Sequence, residues 1–215
     1  MGKTALIIGA TGLVGNHLLK QMLEDDHYDL VKIFTRRSTG ISHSTLDEII
    51  IDFNDLTAVA EKVRGDVFFS CLGTTIKQAG SQKAQYKVDF TYQYEFAKLA
   101  KENGVSSYFL VSSTGANSSS AFFYPRMKGE LEEMTKQLGF DRTVIIQPSV
   151  LQGERDNSRL GESFGALFIN SLGKIIPPLK KYRSIHGSEV AAAMNRIYTS
   201  GQKDSVEVYK LDELF

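Results

Sequence analysis

Gly9-Ala10-Thr11-Gly12-Leu13-Val14-Gly15 is the stretch that decides the fold. It follows the apolar run Ala5-Leu6-Ile7-Ile8 and opens a segment in which Leu13, Leu18, Leu19, Met22 and Leu23 recur at helical spacing. Each glycine in such a strand-to-helix turn has its own use. The first allows a tight turn, the second lets backbone approach a pyrophosphate, and the third lets the helix pack onto the sheet. The helix N-terminus then offers unpaired N–H groups and a positive dipole end to phosphates. The spacing here is G-x-x-G-x-x-G, one residue away from the G-x-G-x-x-G fingerprint, so position between strand and helix carries the reading.

Outward from this turn, short apolar runs alternate with helical periods. Val31-Lys32-Ile33-Phe34, Glu48-Ile49-Ile50-Ile51, Val67-Phe68-Phe69, Tyr108-Phe109-Leu110-Val111 and Thr143-Val144-Ile145-Ile146 join the first run as strands. They are continuous rather than alternating, as in strands buried on both faces of a parallel sheet. One long helix is marked by Val88, Tyr92, Phe96, Leu99 and Ala100 and stops at Gly104. Another, with Met127, Leu131, Met134 and Leu138, stops at Gly139. The alternation predicts an α/β, doubly wound parallel-sheet Rossmann fold. Past residue 148 the pattern loosens: a polar loop over 153–161, a short helix near 162–172, the turn Pro177-Pro178, a helix carrying Val190, Ala191, Met194, Ile197 and Tyr198, and a last strand at Val206–Tyr209. We read residues 1–215 as one domain, with a core to about 150 and a small C-terminal substrate cap from about 151 to 215.

Composition excludes more than it assigns. Twenty-five basic residues balance 25 acidic ones, which argues against nucleic acid as a partner, since phosphate backbones demand a clustered positive surface. Cys71 is the single cysteine, so no intrachain disulfide forms and a reducing compartment is expected. Gly9, Thr11 and Gly12 interrupt the first apolar run before it resembles a signal peptide. Leu6 stands where myristoylation wants Ser or Thr. No run reaches the roughly 20 apolar residues of a membrane span. The expectation is a soluble cytoplasmic protein, monomer or dimer, without a membrane partner.

The end of the second strand selects the nucleotide. NAD sites place an acid on the ribose hydroxyls about 20 residues past the glycines. Here the sequence reads Thr35-Arg36-Arg37, with no acid between Leu30 and Leu46. Two guanidiniums suit a 2′-phosphate through charge-assisted, often bidentate bonds, so NADP(H) is favoured over NAD(H). Asp52-Phe53, after the third strand, is placed to meet the adenine.

Tyr124-Pro125-Arg126-Met127-Lys128 has Y-x-x-x-K spacing. Proline suits the first turn of a helix, and residues i and i+4 share a face, so Tyr124 and Lys128 stand side by side. A nearby ammonium is expected to pull the phenol below its usual pKa of about 10. Tyr124 then serves as acid/base toward a carbonyl oxygen, and Lys128 also reaches the nicotinamide ribose. Ser112 and Ser113, after the fifth strand, offer a hydroxyl to orient that oxygen, with Ser113 preferred.

In combination these motifs resemble an atypical short-chain dehydrogenase/reductase, and are most similar to the small branch that includes the Tat-interacting-protein-like oxidoreductases. The resemblance runs over roughly residues 4–200. It is carried by the glycine loop, Cys71-Leu72-Gly73-Thr74-Thr75, Lys87-Val88-Asp89, Ser112-Ser113-Thr114-Gly115-Ala116, Tyr124 to Glu130, and Gly139-Phe140-Asp141-Arg142 through Pro148-Ser149-Val150. It implies that Cys71, Leu72 and Gly73 line the cofactor and that Pro148, Ser149 and Val150 flank the nicotinamide. The serine-to-tyrosine separation of 11 or 12 residues is shorter than in many extended members. The short C-terminal part leaves little room for a large sugar-nucleotide site.

His17, His27, His43 and His186 lack metal-ligand spacing, and no metal is expected. Cys71 reads as a small buried hydrophobe, and Lys180-Lys181-Tyr182-Arg183 as a solvated loop. The function expected is reduction of a small carbonyl, or oxidation of the matching alcohol, with NADP(H). The alternative is a non-catalytic NADP(H) sensor or scaffold that binds a protein partner.

Overall fold

The computed structural model describes residues 2–152, 184–201 and 204–214. The expected loop, helix and turn over 153–178 and the basic run Lys180–Arg183 lie outside the described residues.

Parallel strands β1 (Lys3–Ile8), β2 (Tyr28–Thr35), β3 (Leu46–Ile50), β4 (Val67–Ser70), β5 (Ser107–Val111) and β6 (Arg142–Gln147) form the main sheet. A two-residue ladder of β7 (Leu151–Gln152) and β8 (Ile185–His186) stands apart, and β9 (Val206–Lys210) joins the far edge. The order is β3-β2-β1-β4-β5-β6-β9, with every neighbouring pair parallel. The expected doubly wound α/β architecture is the one observed.

Successive side chains of a strand point to opposite faces, and both faces are covered. Ala5 and Ile7 of β1 enter one core with Leu18, Leu19 and Met22 of helix α1 (Gly15–Leu23). Leu6 and Ile8 enter the other, with Phe96 and Ala97, Met127 and Leu131. Two-sided burial is the reason the strands read as unbroken apolar runs; each fully buried Leu, Ile or Phe contributes about 1.5–3 kcal/mol.

The segment expected as one long helix is divided. Short helices α2 (Ile76–Ala79) and α3 (Gln82–Tyr86) lead into a wide π turn, Lys87–Thr91, and then α4 (Tyr92–Glu102). A π turn adds a residue to the helical repeat, and such turns cluster at functional sites. Helix α5 (Phe123–Lys136) carries Pro125 in its first turn, as expected. Gly104 and Gly139, just past α4 and α5, take left-handed φ values of 84° and 69°. Helix α6 (Gly187–Thr199) packs beside α1 and is opened by a capping box between His186 and Glu189. Thus the described C-terminal residues enter the main layers, and a buried ion pair from Arg142 Nε to Glu207 Oε1 (2.7 Å) fixes β9 to β6.

The order reverses between β1 and β4, so their outgoing loops part and leave a crevice at the carboxyl edge of the sheet.

Candidate active site

The glycine turn sits in that crevice. Gly9 has φ +80°, where an L side chain is strained, and a Cβ on it would stand 2.5 Å from the Cys71 carbonyl. The loops after β1 and β4 therefore touch backbone to backbone. Gly12 donates its N–H to Gly9 O at 2.9 Å, and a Cβ there would lie 3.1 Å from the same oxygen. A Cβ on Gly15 would overlap the Gly9 carbonyl, which is the close helix–sheet approach expected of the third glycine. Gly187 packs on Leu13, and Val14 is in the core.

A cavity of about 330 Å³ opens beside this turn. Gly9, Ala10 and Thr11 form one wall, Arg36, Arg37 and Ser38 another, and Phe34, Thr35, Phe53 and Leu72 complete it. Residues drawn from four separate strand ends thus meet in one cleft. Both arginines are exposed. Asp52 does not line the cleft; its Oδ1 accepts from the Asn54 N–H (2.9 Å) and side-chain amide (2.7 Å), which makes it a turn cap. Cys71 is buried behind the turn and burial pushes its thiol up to about 12. Gly73 is exposed and Pro148 buried, with Ser149 and Val150 half-buried past the end of β6. Pro148 is tied to the β5 loop by the Thr114 N–H (3.0 Å).

A second group of residues gathers at the same edge of the sheet. Ser113 lies close enough to Tyr124 for its hydroxyl to favour the ionised phenol, and it donates to the Thr114 carbonyl at 3.3 Å. Lys128, one turn along α5, is buried and donates Nζ to the Val111 carbonyl at 3.3 Å. Gly129 permits this arrangement, because a Cβ there would overlap the Asn117-Ser118 backbone that follows the serines. The two serines diverge. Ser112 is buried and donates to Glu132 Oε1, and Gln147 Nε2 donates to both oxygens of Glu132 at 2.9 and 3.0 Å. Only Ser113 faces Tyr124.

Motif spacing missed two carboxylates beside Lys128. Glu132 lies one further turn along α5. Asp89 sits in the π turn, 1% exposed, where Oδ1 accepts from the Thr74 N–H (2.7 Å) and Oδ2 from Gln85 Nε2 (3.2 Å). Gln85 also donates to the Thr74 carbonyl (3.0 Å), so both polar groups of that backbone unit are gripped. Asp89 belongs to the Lys87-Val88-Asp89 segment and lies beside the stripe begun by Val88 and Tyr92, so spacing did not mark it.

These acids change the expected electrostatics. Tyr124 was expected below the ordinary phenol value, but burial, reinforced by the Asp89 charge, raises it well above, against the Ser113 hydrogen bond. The ammonium next door does not prevail because burial also lowers Lys128, against the pull of Asp89, Glu132 and Cys71. Asp89 is raised by burial, with Lys128 opposing. Tyr124 is accordingly held in its protonated form at neutral pH. Among the described residues no group of three or more His, Cys, Asp or Glu is placed to hold a metal.

A phosphate-seeking glycine turn at a topological switch point and a tyrosine–lysine–serine group on the same rim define a dinucleotide-binding protein of the Rossmann class. Residues 9–163 match the NAD(P)H-binding family model, and the chain belongs to that family. It is 37% identical over 181 residues to the mitochondrial protein fmp52 of Aspergillus niger, covering 81% of this chain and 77% of the relative. FMP52 of Eremothecium gossypii is 34% identical over 219 residues, 98% of this chain and 95% of its own. Among solved structures, Bordetella bronchiseptica WbmH in complex with NAD+ superposes with TM-score 0.73 at 18% identity, over 98% of this chain and 76% of that one. A short chain dehydrogenase family protein of Francisella tularensis gives 0.68 at 17% identity, over 97% of each. At such identities these structures show the fold.

The relatives correct one expectation. They are named as mitochondrial proteins, and the cytoplasmic assignment does not stand. A lone cysteine argues for a reducing environment but does not choose among reducing compartments. Among the described residues, no helix is long and apolar enough to cross a membrane.

Proposed function

We propose that this NAD(P)H-binding protein is an oxidoreductase of the short-chain dehydrogenase/reductase type that takes NADP(H) in preference to NAD(H) and reduces a small carbonyl compound. The observation that carries the reading is the placement of Ser113 beside Tyr124, with buried Lys128 one helical turn along α5.

The residues present fit the cofactor. The glycine turn and the N-terminus of α1 offer backbone donors to a pyrophosphate. Arg36 and Arg37 offer guanidiniums across the cleft to a 2′-phosphate. The bound nicotinamide supplies the hydride. Ser113 orients the carbonyl oxygen, and the Tyr124 hydroxyl gives its proton to that oxygen as charge develops there. A protonated Tyr124 is the form that can donate in the reductive direction. With the cofactor bound, Lys128 would support the phenolate that remains and would be the residue to hold the nicotinamide ribose.

Tyr124→Phe tests the reading. NADPH oxidation is followed against panels of aldehydes, ketones and quinones. The variant is expected to lose about 10²–10⁴ in kcat while binding NADPH with unchanged affinity. Unchanged turnover in the variant removes Tyr124 from the chemistry. NADPH binding without turnover of any carbonyl by the wild-type protein favours a cofactor-sensing role instead.

A further inference from the structure

Glu48 spends its carboxylate on one short loop. It lies on β3, paired with Ile33 of β2. Its Oε2 accepts from the Ser38 hydroxyl (2.6 Å), and its Oε1 accepts from the backbone N–H and the hydroxyl of Thr39 (both 2.7 Å). Those hydroxyl oxygens in turn accept from the N–H groups of Gly40 (3.2 Å) and Ile41 (3.3 Å). On the upstream side the Thr35 hydroxyl donates to the Arg37 carbonyl at 2.9 Å. The segment from Thr35 to Ile41 is therefore pinned at both ends by side chains. Arg36 and Arg37 stand between the pins, exposed, on the cleft wall that also includes Ser38.

This anchoring has an energetic consequence. Burial works to raise the Glu48 pKa, but the bonds from Ser38 and Thr39 outweigh it and hold the group below the ordinary carboxylate value. The carboxylate is ionised at neutral pH, so the bonds it accepts are charge-assisted and strong. A free loop would lose conformational entropy on each binding event, and a pinned one has already lost it.

We propose that Glu48 is a positioning residue for cofactor selectivity: it fixes the loop after β2 so that Arg36 and Arg37 are presented together to a phosphate monoester on the adenosine ribose. The proposal rests on the NADP(H) reading above, and Glu48 itself touches no cofactor in it.

The sign of the effect separates positioning from simple charge. Glu48→Gln is nearly isosteric and removes a negative charge close to an anion site, so electrostatics alone predicts tighter NADPH binding. Positioning predicts weaker binding, because a neutral amide gives up the charge-assisted bonds, and its NH₂ either meets the Thr39 N–H or makes the Ser38 hydroxyl, which already accepts from Gly40, accept instead of donate. Dissociation constants for NADPH and NADH are measured by titration calorimetry on both proteins. The expected result is an NADPH constant raised about tenfold and an NADH constant within about twofold of wild type. Thr39→Ala keeps the Glu48 charge, removes one bond, and moves the NADPH/NADH ratio in the same direction by less. Unchanged or tighter NADPH binding by Glu48→Gln overturns the proposal, and so does an equal loss for both cofactors. The Arg36→Ala/Arg37→Ala protein is the reference. Selective NADPH loss there, with none in Glu48→Gln, removes the positioning role alone; equal loss of both cofactors there removes the 2′-phosphate reading itself.

Discussion

Replacing Lys128 by methionine tests whether the buried cluster under Tyr124 is held together by charge. Methionine nearly matches the lysine stem in shape and flexibility, so little cavity results. What disappears is the ammonium beside two carboxylates, Asp89 and Glu132, that are 1% and 5% exposed. Breaking a buried ionic group by deleting one partner costs about 3–5 kcal/mol. Glu132 keeps its donors from Ser112 and Gln147, and Asp89 keeps the Thr74 N–H and Gln85. The loss therefore belongs at the lower end, about 3 kcal/mol. It also depends on pH. Asp89 is already raised by burial and loses the opposing effect of Lys128, so its folded pKa climbs further above its unfolded one. The native variant then binds more protons than the unfolded chain, and its stability falls as pH rises through that window. Urea unfolding should show the deficit shrinking as pH drops from about 8 to about 5.5. Adding Asp89→Asn should recover much of it at the higher pH. A deficit under about 1 kcal/mol that is the same at both pH values would refute the reasoning.

The two serines should separate cleanly. Ser113→Ala is expected to cut kcat by about 10²–10³ with little change in melting temperature, whereas Ser112→Ala, which strips a donor from buried Glu132, should cost about 1.5–3 kcal/mol of stability. At alkaline pH, Tyr198 and Tyr209 are pushed up to about 12, chiefly by burial. Their unfolded phenols ionise near 10, so stability is lost as pH rises from about 10 to about 12. Phenolate absorbance should then appear together with unfolding, and ionisation of these tyrosines in a still-folded protein would contradict this.

Much of the architecture was legible because burial on both faces leaves a mark in the linear chain. Unbroken runs such as Tyr108–Val111, bounded by turn residues and too short for a helix, fit strands whose alternate residues enter different cores. The glycine spacing could be read for a related reason: contact with the Cys71 backbone and the Gly9 carbonyl leaves no space for a Cβ. The π turn at Lys87–Thr91 was not legible, since Val88, Tyr92, Phe96 and Leu99 keep a helical period across it. The turn hides in that stripe because it is fixed by polar residues: Asp89 accepts from the Thr74 N–H, and Gln93 accepts from the Ser70 hydroxyl of β4 while donating to the Asp89 carbonyl.

The sequence by itself determined the β-α alternation, the turn between β1 and α1, and the pairing of Tyr124 with Lys128. All three are set within a few residues by backbone sterics and helical repeat. Tertiary structure alone decided that Ser112 turns to Glu132, that Asp52 caps a turn, and that burial with Asp89 raises the Tyr124 pKa instead of lowering it. Those outcomes depend on desolvation and on charges brought from distant points of the chain, such as Asp89 to Lys128. Neither quantity exists until the sheet and its two helical layers have closed around them.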